Sequence, residues 1–112
     1  MKCIAIDDEP MALEILSSFC QRYGNIELTT FNNPISGMDR VRKMKPDLLF
    51  LDICMKKLNG METARKLRQI QCKVPIIFLT ASPDYAIESY EVQASGYLLK
   101  SFSEEKLMKL LN

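Results

Sequence analysis

Asp7 and Asp8 follow the apolar run at residues 3–6, and Asp52 follows the run at 48–51. Thr80 ends the run at 76–79, and Lys100 ends that at 97–99. Three carboxylates gathered without a cation repel one another and raise their own pKa values. Oxygen ligands of this kind suit magnesium, which takes a few carboxylates, keeps waters and completes its shell with phosphate oxygens. Each residue alone has a plainer account. Acids between a strand and a helix stabilise the helix N-terminus, Thr80 can be a satisfied strand-end hydroxyl, and Lys100 a surface lysine. Glu9, beside Pro10, reads as a helix-start residue. Chemistry is favoured only if the fold brings these residues to one edge.

The elements that would do so alternate from end to end. "KCIAI", "IELTTF", "DLLFLDI", "VPIIFLTA" and "GYLLK" read as strands, mostly buried. Between them lie stretches of helical period. Ala12, Ile15, Leu16, Phe19 and Cys20 form one stripe, closed by Gly24. Ile35, Met38, Val41 and Met44 form another, opened by Asn33 as cap and Pro34. Met61, Ala64, Leu67 and Ile70 recur after Gly60, "DYAIESYEVQ" is a short polar helix, and Ser103 caps "SEEKLMKLL".

Buried strands separated by helices imply an α/β fold, a doubly wound five-stranded parallel sheet covered on both faces. The flavodoxin-like (βα)5 order 2-1-3-4-5 sets the first strand beside the third and the third beside the fourth. Ligands of such sheets bind outside the carboxyl ends of the strands. Asp7, Asp8, Asp52, Thr80 and Lys100 then converge on one pocket.

Composition narrows the function. The 112 residues suffice for one domain, and a net charge of +1 leaves any charged site local. No basic run is long enough to follow a phosphate backbone. No apolar stretch reads as a signal peptide or membrane span. The four cysteines lack CxxC spacing and there is no histidine, which excludes a zinc site and His-based chemistry within the chain. A reducing, cytoplasmic setting follows.

With "DD" after the first strand, "LDI" ending the third, "LTA" the fourth and "YLLK" the fifth, the whole chain resembles the receiver domain of bacterial two-component response regulators. "IDDEP", "FLDICM", "DYAIESYEV" and "YLLKSF" are most similar to regulators carrying a LytTR-type DNA-binding domain after the receiver. The resemblance implies that Asp52 accepts a phosphoryl group from a sensor histidine kinase. It implies magnesium held by Asp7, Asp8, Asp52 and the backbone carbonyl of Cys54. Lys100 would pair with the phosphoryl group, and Thr80 and Tyr97 would form a switch that controls transcription and promotes homodimer formation. The chemistry acts on the chain itself, so it is not an enzyme with an external product. The chain is expected to be one receiver domain, 1–112, either standing alone or, as the resemblance favours, preceding an effector domain through which any DNA contact would be made.

Two positions depart from the family. Lys56 and Ser101 stand where prolines are usual. A cis bond before a non-proline residue costs about 2.5–4 kcal/mol, so the Lys100–Ser101 peptide is expected to be trans. A phosphohydrolase resembling haloacid dehalogenases would need a carboxylate two residues after Asp52, where Cys54 stands. A flavodoxin-like cofactor binder would need a Ser/Thr/Gly-rich phosphate loop after the first strand, and none follows.

Overall fold

The computed structural model describes residues 1–111; Asn112, the last residue of the expected domain, lies outside them. Five strands alternate with five helices: β1 (Lys2–Ile6), α1 (Pro10–Tyr23), β2 (Glu27–Phe31), α2 (Pro34–Met44), β3 (Leu48–Leu51), α3 (Gly60–Gln69), β4 (Ile76–Thr80), α4 (Ala86–Glu91), β5 (Gly96–Leu99) and α5 (Glu104–Leu111). The strands form one parallel sheet in the order β2-β1-β3-β4-β5. That is the expected topology.

The two-residue period of a strand sends alternate side chains to opposite faces. Ile4, Ile6, Leu49, Leu51, Ile76 and Phe78 point to one face, against Val41 of α2 and Met61, Ala64 and Leu67 of α3. Cys3, Ala5, Leu48, Phe50, Ile77 and Leu79 point to the other, against Leu16, Phe19 and Cys20 of α1 and Leu107 of α5. β1, β3 and β4 are therefore apolar on both sides, as strands of a covered parallel sheet must be. Burial pushes the thiols of Cys3 and Cys20 up to about 11, which keeps them neutral core residues.

Helix ends follow local chemistry. Gly24 closes α1 in the left-handed region, φ 84°, and its N–H reaches the Cys20 carbonyl at 3.2 Å. The Asn33 side chain accepts from the N–H of Ile35 at 2.9 Å and opens α2. Ser103 does the same for α5, accepting from Lys106 N–H at 3.2 Å. Arg68 ties α3 to the end of α4. Its guanidinium donates to the carbonyls of Val92 (2.8 Å), Cys72 and Val74 (both 2.9 Å), and burial lowers its pKa.

Three apolar residues expected on buried stripes are exposed. Ile15, Ile35 and Ile70 are 59%, 58% and 54% exposed. In α1 the sheet-facing stripe runs through Leu16, Phe19 and Cys20, and Ile15 stands about 100° away from Leu16. Ile70 is the C-cap of α3, past its last full turn. α4 is also shorter than "DYAIESYEVQ" suggested, six residues from Ala86, and Gln93 turns the chain with φ 56°. Among the described residues no helix is long and apolar enough to cross a membrane.

Candidate functional site

Asp7 and Asp8 leave the end of β1, and Asp52 leaves the end of β3, its N–H held by the Ile6 carbonyl at 3.0 Å. This pairing of adjacent strand ends brings one carboxylate oxygen from each of Asp7, Asp8 and Asp52 within 4.8 Å of the others. Asp52 is 2% exposed, and neither of its side-chain oxygens has a hydrogen-bond partner among the described residues. A buried carboxylate without hydrogen bonds is costly. Burial first, then the charge of Asp7, push its carboxyl up to about 7, against the pull of Lys100. An oxygen-only cluster with two unpartnered buried oxygens fits a hard divalent cation.

Lys100 comes from the far side of the sheet. Its backbone N–H donates to the Thr80 carbonyl at 2.8 Å, holding the end of β5 to that of β4. Its ammonium lies 3.1 Å from Asp7 Oδ2, 3.5 Å from Asp52 Oδ2 and 2.7 Å from Glu9 Oε1. Burial alone would depress this lysine. The hydrogen bonds to Glu9 and Asp7 and the charge of Asp52 more than offset that, and its pKa is raised. The Lys100–Ser101 peptide is trans, as expected.

Glu9 differs from its expected role. It occupies the N-cap of α1, but its side chain makes no capping bond and reaches Lys100 instead. Its N–H donates to Asp7 Oδ1 at 2.9 Å. Lys56 matters through its backbone, whose N–H donates to Asp8 Oδ2 at 3.1 Å. A proline there could not make that bond.

Thr80 is fully buried at the end of β4. Its hydroxyl accepts from Ser82 N–H at 3.3 Å and lies 3.9 Å from Cys54 Sγ. Tyr97 is opposite Phe78 in the β4–β5 register, with ring centroids 6.3 Å apart. Its hydroxyl donates to the Ser82 carbonyl and accepts from Tyr85 N–H at 3.3 Å. Thr80 and Tyr97 are thus joined through the two backbone groups of Ser82, a residue the sequence reading passed over. Cys54, two residues past Asp52, is exposed.

Gly60, noted in the sequence only as the residue before a helix, also bears on the site. The chain from Asp52 turns back so that Gly60 N–H donates to the Ile53 carbonyl at 2.8 Å. A Cβ on Gly60 would stand 1.9 Å from the Asp52 carbonyl oxygen. The signal was the Asn59–Gly60 pair, with the Asn59 side chain capping α3 through Met61 N–H at 2.6 Å.

A 2-1-3-4-5 sheet with carboxylates and a lysine at its carboxyl edge defines a flavodoxin-like α/β domain with an acidic strand-end site. The chain belongs to the response regulator receiver domain family, which matches residues 3–112. It is similar to the transcriptional regulatory protein BtsR of Escherichia coli (strain K12), 40% identical over 112 residues, 99% of this chain and 46% of that protein. It is 34% identical to the sensory transduction protein LytT of Bacillus subtilis (strain 168), with the same coverage. These relatives agree with the LytTR-type resemblance, and the chain spans about half their length. Among solved structures, the response regulatory domain of mrkE from Klebsiella pneumoniae superposes with a TM-score of 0.89 at 30% identity, covering 99% of this chain and 92% of that one.

Proposed function

We propose that Asp52 is the phosphoacceptor of a signalling switch, loaded by a sensor histidine kinase in the cytoplasm. The observation that carries this reading is the Asp52 carboxylate itself, buried, unpartnered, and flanked by Asp7, Asp8 and Lys100. One Asp52 oxygen attacks phosphorus, forming an O–P bond as the bond to the donor nitrogen breaks. The leaving imidazole takes the electron pair and a proton from water. Asp7, Asp8, Asp52 and the carbonyl of Cys54 would hold magnesium, which supplies positive charge to the phosphoryl oxygens. The Lys100 ammonium, 3.1 Å from Asp7 Oδ2 and 3.5 Å from Asp52 Oδ2, supplies further positive charge. Hydrolysis of the aspartyl phosphate resets the domain.

Incubation with acetyl phosphate and magnesium should add one alkali-labile phosphoryl group, read by intact-protein mass spectrometry. Asp52→Ala should abolish it, and modification persisting in that variant defeats the assignment. Asp8→Ala should remove most of the magnesium affinity in a titration followed by amide chemical shifts.

Thr80 and Tyr97 carry the switch. Phosphorylation draws the Thr80 hydroxyl towards the phosphoryl group, away from Ser82, and the loop that Tyr97 grips shifts with it. Hydrogen exchange across residues 84–103 should change with a beryllofluoride mimic. Thr80→Ala should still be phosphorylated yet lose that change; no change in the wild type defeats the switch. Tighter homodimer formation through α4, β5 and α5 is the expected consequence, checked by sedimentation. Control of transcription, through a DNA-binding effector domain of the full-length protein, is the output that the likeness to BtsR and LytT favours.

A further inference from the structure

We infer that Glu9 is a positioning residue that restrains phosphorylation by holding the ammonium of Lys100. The inference rests on the phosphoacceptor reading of Asp52 and deepens it. Lys100 has three carboxylate neighbours, and its closest contact, 2.7 Å, is to Glu9; Asp52 is farther, at 3.5 Å. Glu9 stands outside the group formed by Asp7, Asp8 and Asp52, whose oxygens could share a cation. It also spends no side-chain bond on capping α1, so a structural duty at the helix start does not explain its orientation.

The side chain of Glu9 is 62% exposed and that of Lys100 only 19%. Glu9 thus stands on the solvent side of the ammonium, where an anionic donor must arrive. Two effects follow, with the same sign. The carboxylate opposes the approach of a negatively charged donor, and it competes with the phosphoryl oxygens for Lys100. Transfer resolves the competition. Asp52 changes from a carboxylate to an acyl phosphate of higher negative charge, and Lys100 leaves Glu9 for the phosphoryl group. Glu9 is the exposed member of the pair, and Lys100 keeps Asp7 beside it at 3.1 Å, so this contact can be surrendered without leaving a buried charge unpaired.

Glu9→Gln should accelerate phosphorylation by acetyl phosphate at subsaturating donor by roughly two- to five-fold, and the gain should shrink as salt screens the site. Glu9→Asp, too short to span the gap but still charged, should fall between the two. Lys100 should become more reactive towards an amine-acylating reagent in Glu9→Gln without magnesium or donor, read by peptide mass spectrometry. A purely structural Glu9 would move neither the salt dependence nor the labelling of Lys100. An unchanged or slower Glu9→Gln rate, or unchanged Lys100 labelling, overturns the restraint while leaving Asp52 as phosphoacceptor. Absence of phosphorylation in the wild type, or its persistence in Asp52→Ala, overturns both.

Discussion

Asp52→Asn should make the metal-free domain more stable at pH 8, by on the order of 3 kcal/mol. The Asp52 carboxyl is pushed from 3.8 to about 7, by burial first and by Asp7 second. Its folded-state pKa is therefore above its unfolded value. Between those two values the folded chain holds a proton that the unfolded chain has released, so stability falls as pH rises from about 4 to about 7. Below that window both states are protonated and the penalty vanishes; above it the penalty is constant. Each pK unit is worth about 1.4 kcal/mol, which sets an upper bound near 4 kcal/mol. The Asn amide, buried in the same place, gives some of that back. Lys100 is not orphaned by the change, because Asp7 and Glu9 remain beside it. Urea unfolding across this pH range, with a chelator present, should show the two proteins converging towards pH 4 and diverging to a plateau above pH 7. A difference independent of pH would mean that Asp52 is ionised in the folded state throughout. Magnesium should narrow the gap by stabilising the wild type.

The sheet was legible because a strand buried on both faces has a strong signature. The unbroken apolar runs of β1, β3 and β4 could be read directly, and the helices between them forced the strands parallel. Strand order then gathered Asp7, Asp8, Asp52, Thr80 and Lys100 without any knowledge of distance. What escaped were the relations made by backbone groups, which carry no residue-type signal. Lys56 holds Asp8 through an N–H that nearly every residue possesses, and Ser82 joins Thr80 to Tyr97 through its own N–H and carbonyl. The Glu9–Lys100 pair escaped for another reason. Its members lie 91 residues apart, and an acid before Pro10 already had a sufficient local explanation. Ile15 and Ile35 show the complementary failure, since apolar residues at helical spacing are not all needed to cover a flat sheet.

Gly60→Ala should destabilise the domain and slow phosphorylation together. Alanine is the better helix former by about 1 kcal/mol, so at an open position in α3 the change would stabilise. Here the new methyl would meet the Asp52 carbonyl oxygen at 1.9 Å, the Asp52 carbonyl carbon at 2.7 Å and Ile53 Cα at 2.8 Å. All three are backbone atoms, which cannot rotate aside. Relief requires the start of α3 or the Asp52–Ile53 backbone to move, and either breaks the 2.8 Å bond from Gly60 N–H to the Ile53 carbonyl. Overpacking of this kind costs on the order of 3 kcal/mol, enough to reverse the propensity gain. Where the Asp52–Ile53 backbone is the part that yields, the phosphoacceptor changes its position relative to Lys100, which now lies 3.5 Å from Asp52 Oδ2. Asn59→Ala provides the contrast. It removes the cap on Met61 N–H, at a cost of about 1 kcal/mol, and leaves the Asp52–Gly60 contact intact. Denaturant unfolding and acetyl phosphate kinetics on both variants separate stability from geometry. Asn59→Ala should lose stability alone, and Gly60→Ala should lose both. A folded Gly60→Ala domain phosphorylated at the wild-type rate would show that α3, rather than the Asp52 backbone, yields to the methyl group.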